Sequence, residues 1–265
     1  MDDKTPDQCQ THLGSYLIYP DDDSASATLW PQNKELALLI LNESIPNEER
    51  RVLESVWSRA NYRICIDGGG NRLYDFCKHH DTLDLLVPDA IVGDLDSLQG
   101  TPRTYYKKLG ARIRCYSDQN STDFMKGLLY LDNELRGGKD PNDCIVVVFG
   151  GLGGRLDHIM HTLKVLFNNH LTRQICVISE TNLTFVVPSG KNKILVNKRV
   201  DGPTCGILPL AGQTTLTTRG LRWNLNNHPS SFEGLMSTSN IIDDPEIYVE
   251  TALPVAWTCE FKPFK

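Results

Sequence analysis

The sequence lacks the features of a secreted or membrane-bound protein. No apolar stretch approaches the ~20 residues of a membrane-spanning helix. The N-terminus has no basic region followed by an apolar one. The eight cysteines are scattered without a C-x-x-C pair, so neither a disulfide framework nor a zinc site is expected. We therefore expect a cytoplasmic protein in a reducing compartment, with no membrane partner.

Basic residues do not cluster anywhere in the chain. Its 27 lysines and arginines are outnumbered by 33 acidic residues, giving a net charge of −6. A nucleic-acid backbone is therefore not expected as a partner. If the protein handles phosphates, a metal ion and a few well-placed cations must offset the charge of the ligand.

Several common catalytic signatures are also missing. Gly190-Lys191-Asn192 lacks the Ser or Thr of a phosphate-binding P-loop, and no G-x-S-x-G is present. Leu156 stands where a dinucleotide-binding fingerprint has glycine. These absences argue against a P-loop kinase, a dehydrogenase and an α/β-hydrolase.

The 265 residues are enough for two domains, and the spacing of apolar residues changes twice along the sequence. Residues 1–33 have little periodicity and are predicted to be a loosely ordered tail. Residues 34–181 alternate strand-like apolar runs with helical spacing, which predicts an α/β domain with a mostly parallel sheet covered on both faces. Residues 182–265 contain short β-type runs between Gly, Pro and Asn clusters, which predicts a smaller all-β domain, sandwich-like or barrel-like.

Acidic residues or glycines follow four successive strand-like runs of the predicted α/β domain. Asp67 ends one run, the segment GDLDS (93–97) ends the next with Asp94 and Asp96, Asp118 follows the third, and Gly150-Gly151 the fourth. Each aspartate alone is more simply a turn residue. Because the carboxyl ends of parallel strands share one edge of a sheet, the acids are expected to meet there, and like charges in proximity need a cation. Carboxylate oxygens are the ligands that Mg²⁺ prefers.

Three glycine-rich or capped segments could bind phosphate beside these acids. They are DGGGNRLYD (67–75), DQNSTDFMK (118–126) and GGLGGRLDH (150–158). Each also has a simpler interpretation, as a tight strand–helix turn or as a capped helix with a surface ion pair. His158 and His161 lack a third ligand and are interpreted as ordinary helix residues.

Taken together, these segments resemble the eukaryotic form of thiamine pyrophosphokinase. The resemblance also includes GLRWNLNN (220–227) and STSN (237–240), and it extends from about Glu35 to Phe261. It implies a Mg²⁺-dependent transfer of the β,γ-diphosphoryl group of ATP to the hydroxyl of thiamine. It also implies a homodimer with sites shared between subunits, in which the β domain binds thiamine and dimerises.

The resemblance implies roles for individual residues. The implied catalytic residues are Asp94, Asp96, Asp123 and Asp157. The implied metal ligands are Asp67, Asp94, Asp96 and Asp123. The implied ATP- and phosphate-binding residues are Asp67, Gly68, Gly69, Asn71, Arg72, Asp118, Thr122, Lys126 and Arg155. The implied thiamine-binding residues are Trp223, Ser237, Ser239 and Asn240. For Trp223, the alternative is a tryptophan of the β-domain core, but its Arg, Asn and Gly neighbours favour a loop.

Two other functions stay open from the sequence. One is another Mg²⁺-dependent nucleotidyl or glycosyl transferase, because D-x-D also binds metal for nucleotide sugars. The other is a nucleotide sensor without catalytic activity.

Overall fold

The computed structural model describes residues 9–18, 34–135 and 140–262. Its described residues divide into two compact units. Residues 34–180 form the first, the α/β unit, and residues 9–18 together with 181–262 form the second, the β unit.

The secondary structure follows the predicted alternation closely. The strands are β1 Gln10–His12, β2 Glu35–Ile40, β3 Tyr62–Ile66, β4 Ala90–Gly93, β5 Arg112–Cys115, β6 Cys144–Phe149, β7 Ile175–Ser179, β8 Asn182–Val187, β9 Gly190–Leu195, β10 Asp201–Leu208, β11 Thr214–Arg219, β12 His228–Ser230, β13 Ser237–Ile241, β14 Glu246–Thr251 and β15 Val255–Phe261. The helices are α1 Arg50–Arg59, α2 Gly69–His79, α3 Gly100–Lys108, α4 Asp123–Glu134 and α5 Leu156–Asn169. None of the described helices has the length and apolar character needed to cross a bilayer.

The α/β unit contains six parallel strands in the order β7-β6-β2-β3-β4-β5. The central strands β2 and β6 are buried almost throughout, which explains why their sequences are continuously apolar. The chain runs outward from β2 to β5 and then returns to place β6 on the other side of β2. This reversal creates a crevice between the ends of β2 and β6, where open α/β sheets bind ligands. The predicted fold of this unit is confirmed.

The β unit contains two sets of hydrogen-bonded strands, β1-β9-β14-β11-β12 and β13-β10-β15-β8. Apart from the β1–β9 pair, their pairings are antiparallel. The predicted β-rich C-terminal fold is confirmed. Strands β12 and β13 were not expected, because Pro229 interrupts one and the other is the polar run STSNI.

The prediction of a loose tail is wrong for residues 9–18. Strand β1 pairs with β9, and Leu13, Leu17 and Ile18 are buried. The hydroxyl of Ser15 donates to Asp201 Oδ2 at 2.7 Å, and burial raises the pKa of that carboxyl to about 7. Apolar burial and strand pairing with a distant segment therefore order a sequence that has little local preference. The rest of the predicted tail, residues 1–8 and 19–33, lies outside the described residues.

Truncating Leu17 tests whether this segment stabilises the protein. Leu17 has no exposed surface, so Leu17→Ala should lower the free energy of unfolding by about 3 kcal/mol, the usual cost of a buried Leu-to-Ala cavity. Thr11→Ala, at an exposed position of β1, is the matched control and should cost less than about 0.5 kcal/mol. Urea unfolding measures both, and equal stability of the two variants would contradict the integral role of the segment.

Candidate active site

Three of the predicted acidic residues form one cluster at the carboxyl ends of the parallel strands. Carboxylate oxygens of Asp67, Asp94 and Asp123 all lie within 4.8 Å of one another. Asp67 follows β3, Asp94 follows β4, and Asp123 begins α4. Gly93 allows this approach, because a Cβ there would lie 2.8 Å from Asp67 Cβ and 3.2 Å from Asp123 Oδ1. The three side chains line one cavity of about 520 Å³, a size suited to a small-molecule ligand.

Asp67 is the most buried member of the cluster. Only 4% of its surface is exposed, and its backbone has a φ of +45°. Its Oδ2 accepts a hydrogen bond from the Ser97 backbone N–H at 3.3 Å, whereas Oδ1 is buried and has no hydrogen-bond partner among the described residues. Desolvation by burial raises the pKa of Asp67, and the nearby Asp123 carboxylate raises it further. An unpartnered buried carboxylate oxygen at this position fits a cation ligand.

Lys126 supplies the positive charge of the cluster. Its Nζ donates to Asp123 Oδ1 at 2.9 Å and to Asp94 Oδ2 at 3.1 Å, and the residue is 2% exposed. Burial opposes the charge of Lys126, but the two carboxylate hydrogen bonds outweigh burial and raise its pKa. Burial likewise opposes the charge of Asp94, and the hydrogen bond from Lys126 contributes most to lowering its pKa. The Asp123–Lys126 pair therefore joins a buried ammonium to a half-buried carboxylate, and is not the surface ion pair that the sequence left open.

Asp96 and Asp118 lie outside this cluster. Asp96 is exposed, and its Oδ1 accepts from the hydroxyl of Ser97 at 2.9 Å. Asp118 accepts hydrogen bonds from the Ser121 hydroxyl and the Asn120 backbone N–H, and these lower its pKa. The predicted roles of both residues stay predictions.

The glycine-rich segment after β3 has a packing role. A Cβ on Gly69 would lie 2.0 Å from the carbonyl oxygen of Ile40, and one on Gly68 would lie 2.4 Å from Asn42 Nδ2. Glycine is therefore needed where α2 begins against the end of β2.

The polar residues that follow these glycines hold neighbouring loops. Asn71 is buried, donates to the Ser97 carbonyl at 2.8 Å and accepts from the Gln99 N–H at 2.9 Å, which fixes the GDLDS segment. Arg72 Nε donates to Asn42 Oδ1 at 2.8 Å. Gly68, Gly69, Asn71 and Arg72 do not line the cavity, and their predicted ATP contacts stay predictions.

The first turn of α4 meets α5 across the cavity wall. Thr122 occupies the N-cap position of α4, but its side chain makes no capping hydrogen bond. Its Oγ1 instead lies 2.6 Å from His161 Nε2. Burial lowers the pKa of His161, which favours the neutral imidazole. His158 and His161 both line the cavity, which the interpretation as ordinary helix residues missed. Their i, i+3 spacing behind a glycine loop was the available signal.

Arg155 and Asp157 form an exposed pair at the start of α5. Arg155 donates to Asp157 Oδ2 at 2.6 Å through its NH2 group and to Oδ1 at 3.1 Å through Nε. Arg155 lines the cavity and Asp157 does not. Arg155 thus places a forked cation on the wall of the cavity that the acidic cluster also lines, where a phosphate could replace Asp157 as its partner.

Glu43 is a cavity residue that the sequence analysis missed. It follows β2, the central strand, and lies beside the glycine loop that follows β6. The rule that pointed to Asp67 and Asp94, namely acidic residues at strand ends, applies equally to Glu43.

Three of the predicted thiamine-binding residues are joined by hydrogen bonds in the β unit. The buried Asn240 accepts from the Trp223 N–H at 3.2 Å and donates to the Trp223 carbonyl at 2.9 Å and to Ser237 Oγ at 3.2 Å. Trp223 is 59% exposed and therefore does not belong to the core. Ser239 is exposed and has a φ of +56°. The Asn240 side chain thus fixes the backbone that presents the indole ring.

Comparison with known proteins identifies the family of the chain. Residues 53–178 match the family model for the thiamin pyrophosphokinase catalytic domain, and residues 191–255 match the model for the thiamin pyrophosphokinase vitamin B1 binding domain. The chain is 32% identical to thiamine pyrophosphokinase 1 of Arabidopsis thaliana, covering 95% of this chain and 93% of the relative. It is 31% identical to thiamine pyrophosphokinase 1 of Oryza sativa, covering 95% and 97%.

A solved structure shares the fold. The crystal structure of yeast thiamin pyrophosphokinase superposes with a TM-score of 0.80 at 24% identity, covering 97% of this chain and 93% of that one. The near full-length similarity to the plant relatives, together with both domain matches, shows that the chain belongs to the thiamine pyrophosphokinase family, in its eukaryotic form.

Proposed function

We propose that this protein transfers the β,γ-diphosphoryl group of ATP to the hydroxyl of thiamine, giving AMP and thiamine diphosphate, in a Mg²⁺-dependent reaction. The reaction is that of its family. The observation that supports it most directly is the cluster of Asp67, Asp94 and Asp123 with the buried Lys126, beyond the carboxyl ends of β3 and β4. Diphosphoryl transfer requires in-line positioning and charge neutralisation more than covalent participation of the protein, and this cluster provides charged groups at one point.

The three clustered carboxylates fit a magnesium site. They offer oxygen ligands within 4.8 Å of one another, and Asp67 Oδ1 is buried without a partner in the part of the chain that the structure describes. We propose Asp67, Asp94 and Asp123 as the ligands, with the predicted fourth ligand, Asp96, joining them only when substrate is bound. A bound Mg²⁺ would neutralise charge on the phosphates of ATP.

The protein cations near the cluster would hold the phosphates. We propose that Lys126 and Arg155 contact phosphate oxygens and that the Thr122 hydroxyl, held by His161, donates to one of them. Arg155 suits this role because its exposed, forked guanidinium is paired with the neighbouring Asp157, so a phosphate could take over the hydrogen bonds.

We propose that residues 34–181 form the catalytic domain and that residues 182–265, together with residues 9–18, form a domain for thiamine binding and dimerisation. Trp223 supports this, because an exposed indole on a fixed backbone offers a face for a flat cation. We further propose a homodimer in which each site combines the acidic cluster of one chain with Trp223 of the other.

Product analysis tests the reaction. We expect ATP, thiamine and MgCl₂ to give AMP and thiamine diphosphate in equal amounts by liquid chromatography, and EDTA to stop turnover until Mg²⁺ is restored in excess. UDP or pyrophosphate release from another donor would indicate a glycosyl or nucleotidyl transferase. ATP binding without turnover of thiamine would indicate a sensor.

Removing the charge of Lys126 should change the kinetic parameters for ATP and leave those for thiamine unchanged. We expect Lys126→Ala to lower kcat/KM for ATP by at least ~10-fold, because a charge-assisted phosphate contact is lost and the Asp94–Asp123 pair loses its counter-charge. Lys107→Ala, at an exposed position of α3, is the control. Steady-state kinetics with each substrate varied measures the effect. If thiamine affinity falls while ATP kinetics are unchanged, Lys126 does not act on the phosphates.

A further inference from the structure

The carboxylate of Glu43 is enclosed by the glycine loop 150–154. Its Oε2 accepts hydrogen bonds from the backbone N–H groups of Gly151 and Gly153, the latter at 3.2 Å. Its Oε1 accepts from the hydroxyl of Ser179 at 2.7 Å. The N–H of Leu152, between the two glycines, donates to Ser179 Oγ at 3.3 Å. Three consecutive backbone N–H groups of the loop are thus satisfied by Glu43 and Ser179.

The loop has space for the Glu43 side chain because residues 150 and 153 are glycines. A Cβ on Gly153 would lie 2.4 Å from Glu43 Oε1, and a Cβ on Gly150 would lie 2.8 Å from Glu43 Cβ. Gly150 and Gly151 also have φ values of +83° and +99°, which other residues rarely adopt. The conformation of the loop and the position of Glu43 therefore depend on each other.

This arrangement bears on which anion the N–H groups of the glycine loop bind. N–H groups in a glycine loop that leads into a helix are a common anion site. Here the anion already in contact with the N–H groups of Gly151 and Gly153 is the Glu43 carboxylate. Gly154, the last residue of the loop, is followed directly by Arg155 at the start of α5, and both residues line the cavity.

We propose that Glu43 is a positioning residue, which holds the 150–154 loop against the end of β2 and so sets the position of Arg155 for the phosphates of ATP. The inference rests on the proposed function for the role of Arg155. Glu43 acts through its hydrogen bonds and not through its charge.

A pair of substitutions separates hydrogen bonding from charge. In Glu43→Gln, the amide oxygen can accept from Gly151 and Gly153, and the amide NH₂ can donate to Ser179 Oγ, so the loop keeps all its partners. Glu43→Ala removes them. We expect Glu43→Ala to raise KM for ATP by about 10-fold with KM for thiamine within ~2-fold of wild type, and Glu43→Gln to stay within ~3-fold of wild type for both.

Hydrogen exchange gives a readout that does not depend on activity. Amides 151–153 should exchange at least ~10-fold faster in Glu43→Ala than in the wild type and at near wild-type rates in Glu43→Gln. Ser179→Ala, which removes one partner of Glu43 and the acceptor of Leu152, should accelerate the same amides to a smaller extent. This variant keeps the test decisive if Glu43→Ala fails to fold.

Three results would overturn the inference. Unchanged exchange of amides 151–153 in both Glu43→Ala and Ser179→Ala would show that Glu43 does not hold the loop. ATP kinetics of Glu43→Gln as poor as those of Glu43→Ala would show that the charge matters. Tighter ATP binding in Glu43→Ala would show that the carboxylate competes with phosphate for the loop. Absence of wild-type turnover would instead contradict the proposed function, and the exchange experiment would still report on Glu43.

Discussion

Replacing Asp94 by Asn should lower turnover of ATP and thiamine at least ~100-fold, the scale of losing one major electrostatic contribution at an active site. Asp94 lies in the cluster with Asp67 and Asp123, and its Oδ2 accepts from Lys126 at 3.1 Å. Asparagine keeps the size of the side chain but removes one negative charge from the proposed metal site. The loss should therefore appear in both Mg²⁺ affinity and kcat, with the fold retained.

Two measurements check this prediction. Mg²⁺ titration of the initial rate should show a higher half-saturating concentration for Asp94→Asn, and thermal unfolding with and without Mg²⁺ should show a smaller metal-dependent shift. Asp75→Asn, at an exposed position of α2, is the matched control for the loss of one acidic charge. Near wild-type turnover of Asp94→Asn at limiting Mg²⁺ would remove Asp94 from the metal site.

Asp96 provides an internal comparison, because it is two residues away and lies outside the cluster. In the absence of ATP, Asp96→Asn should change the Mg²⁺-dependent thermal shift less than Asp94→Asn does. An equal loss would mean that the GDLDS turn rearranges to bring both carboxylates to the metal even without substrate.

The acidic cluster was predictable from the sequence because the relevant physics is local. Continuous apolar runs indicate buried parallel strands, and the carboxyl ends of such strands share an edge. Asp67 and Asp94 follow two of these strands directly, so their proximity depends only on the correct identification of β3 and β4. Asp123 follows from the N-terminal signal of α4 by the same reasoning.

The partners within the site were not predictable in the same way. The spacing of Asp123 and Lys126 shows that they share a helix face, but it does not show that the face is buried against Asp94. The glycine loop is a second case. Glu43, which is 108 residues from Gly151, determines which backbone N–H groups of the loop are left to bind a ligand. Contacts between distant segments decide both cases, and a single sequence carries no direct record of them.

The N-terminal segment was predicted to be loosely ordered because its sequence has little preference for a helix or a strand. Residues 9–18 show little periodicity, but Leu13, Leu17 and Ile18 are buried and β1 pairs with β9. A short strand that joins an existing sheet obtains its hydrogen bonds from that sheet, so its own composition is a poor guide.

Truncation of Trp223 should weaken thiamine binding without disturbing ATP. The indole ring is 59% exposed, while Asn240 holds the backbone of the same residue through two hydrogen bonds. Loss of a stacked cation contact worth roughly 1–2 kcal/mol should raise the thiamine KM of Trp223→Ala about 10-fold. Arg222→Ala, which removes the exposed neighbour paired with Asp243, is the control and should leave this KM nearly unchanged.

A mixing experiment tests whether Trp223 acts on the active site of the other chain. At thiamine concentrations below KM, Trp223→Ala should keep about a tenth of wild-type activity and Asp94→Asn about a hundredth, by the effects expected above. If the sites are shared in a C2 dimer, a heterodimer of the two variants has one site with both substitutions and one site with neither. Subunit exchange at equal amounts makes about half of the dimers heterodimers, so the activity should rise about fivefold above the mean of the two separate preparations.

The same mixture distinguishes the alternatives through the magnitude of the recovery. If Trp223 serves the site of its own chain, every site in a heterodimer carries one substitution, and mixing leaves the activity at the mean. If the protein is monomeric, mixing also leaves the activity at the mean. Capture of one variant by its tag would then bring down none of the other, differently tagged variant. Recovery of activity therefore counts as support only where subunit exchange has been shown. It must be absent when two differently tagged preparations of Asp94→Asn are mixed. Exchange with no recovery would make Trp223 a contact within one chain, and the shared site would have to be abandoned while the metal cluster and its reaction remain as proposed.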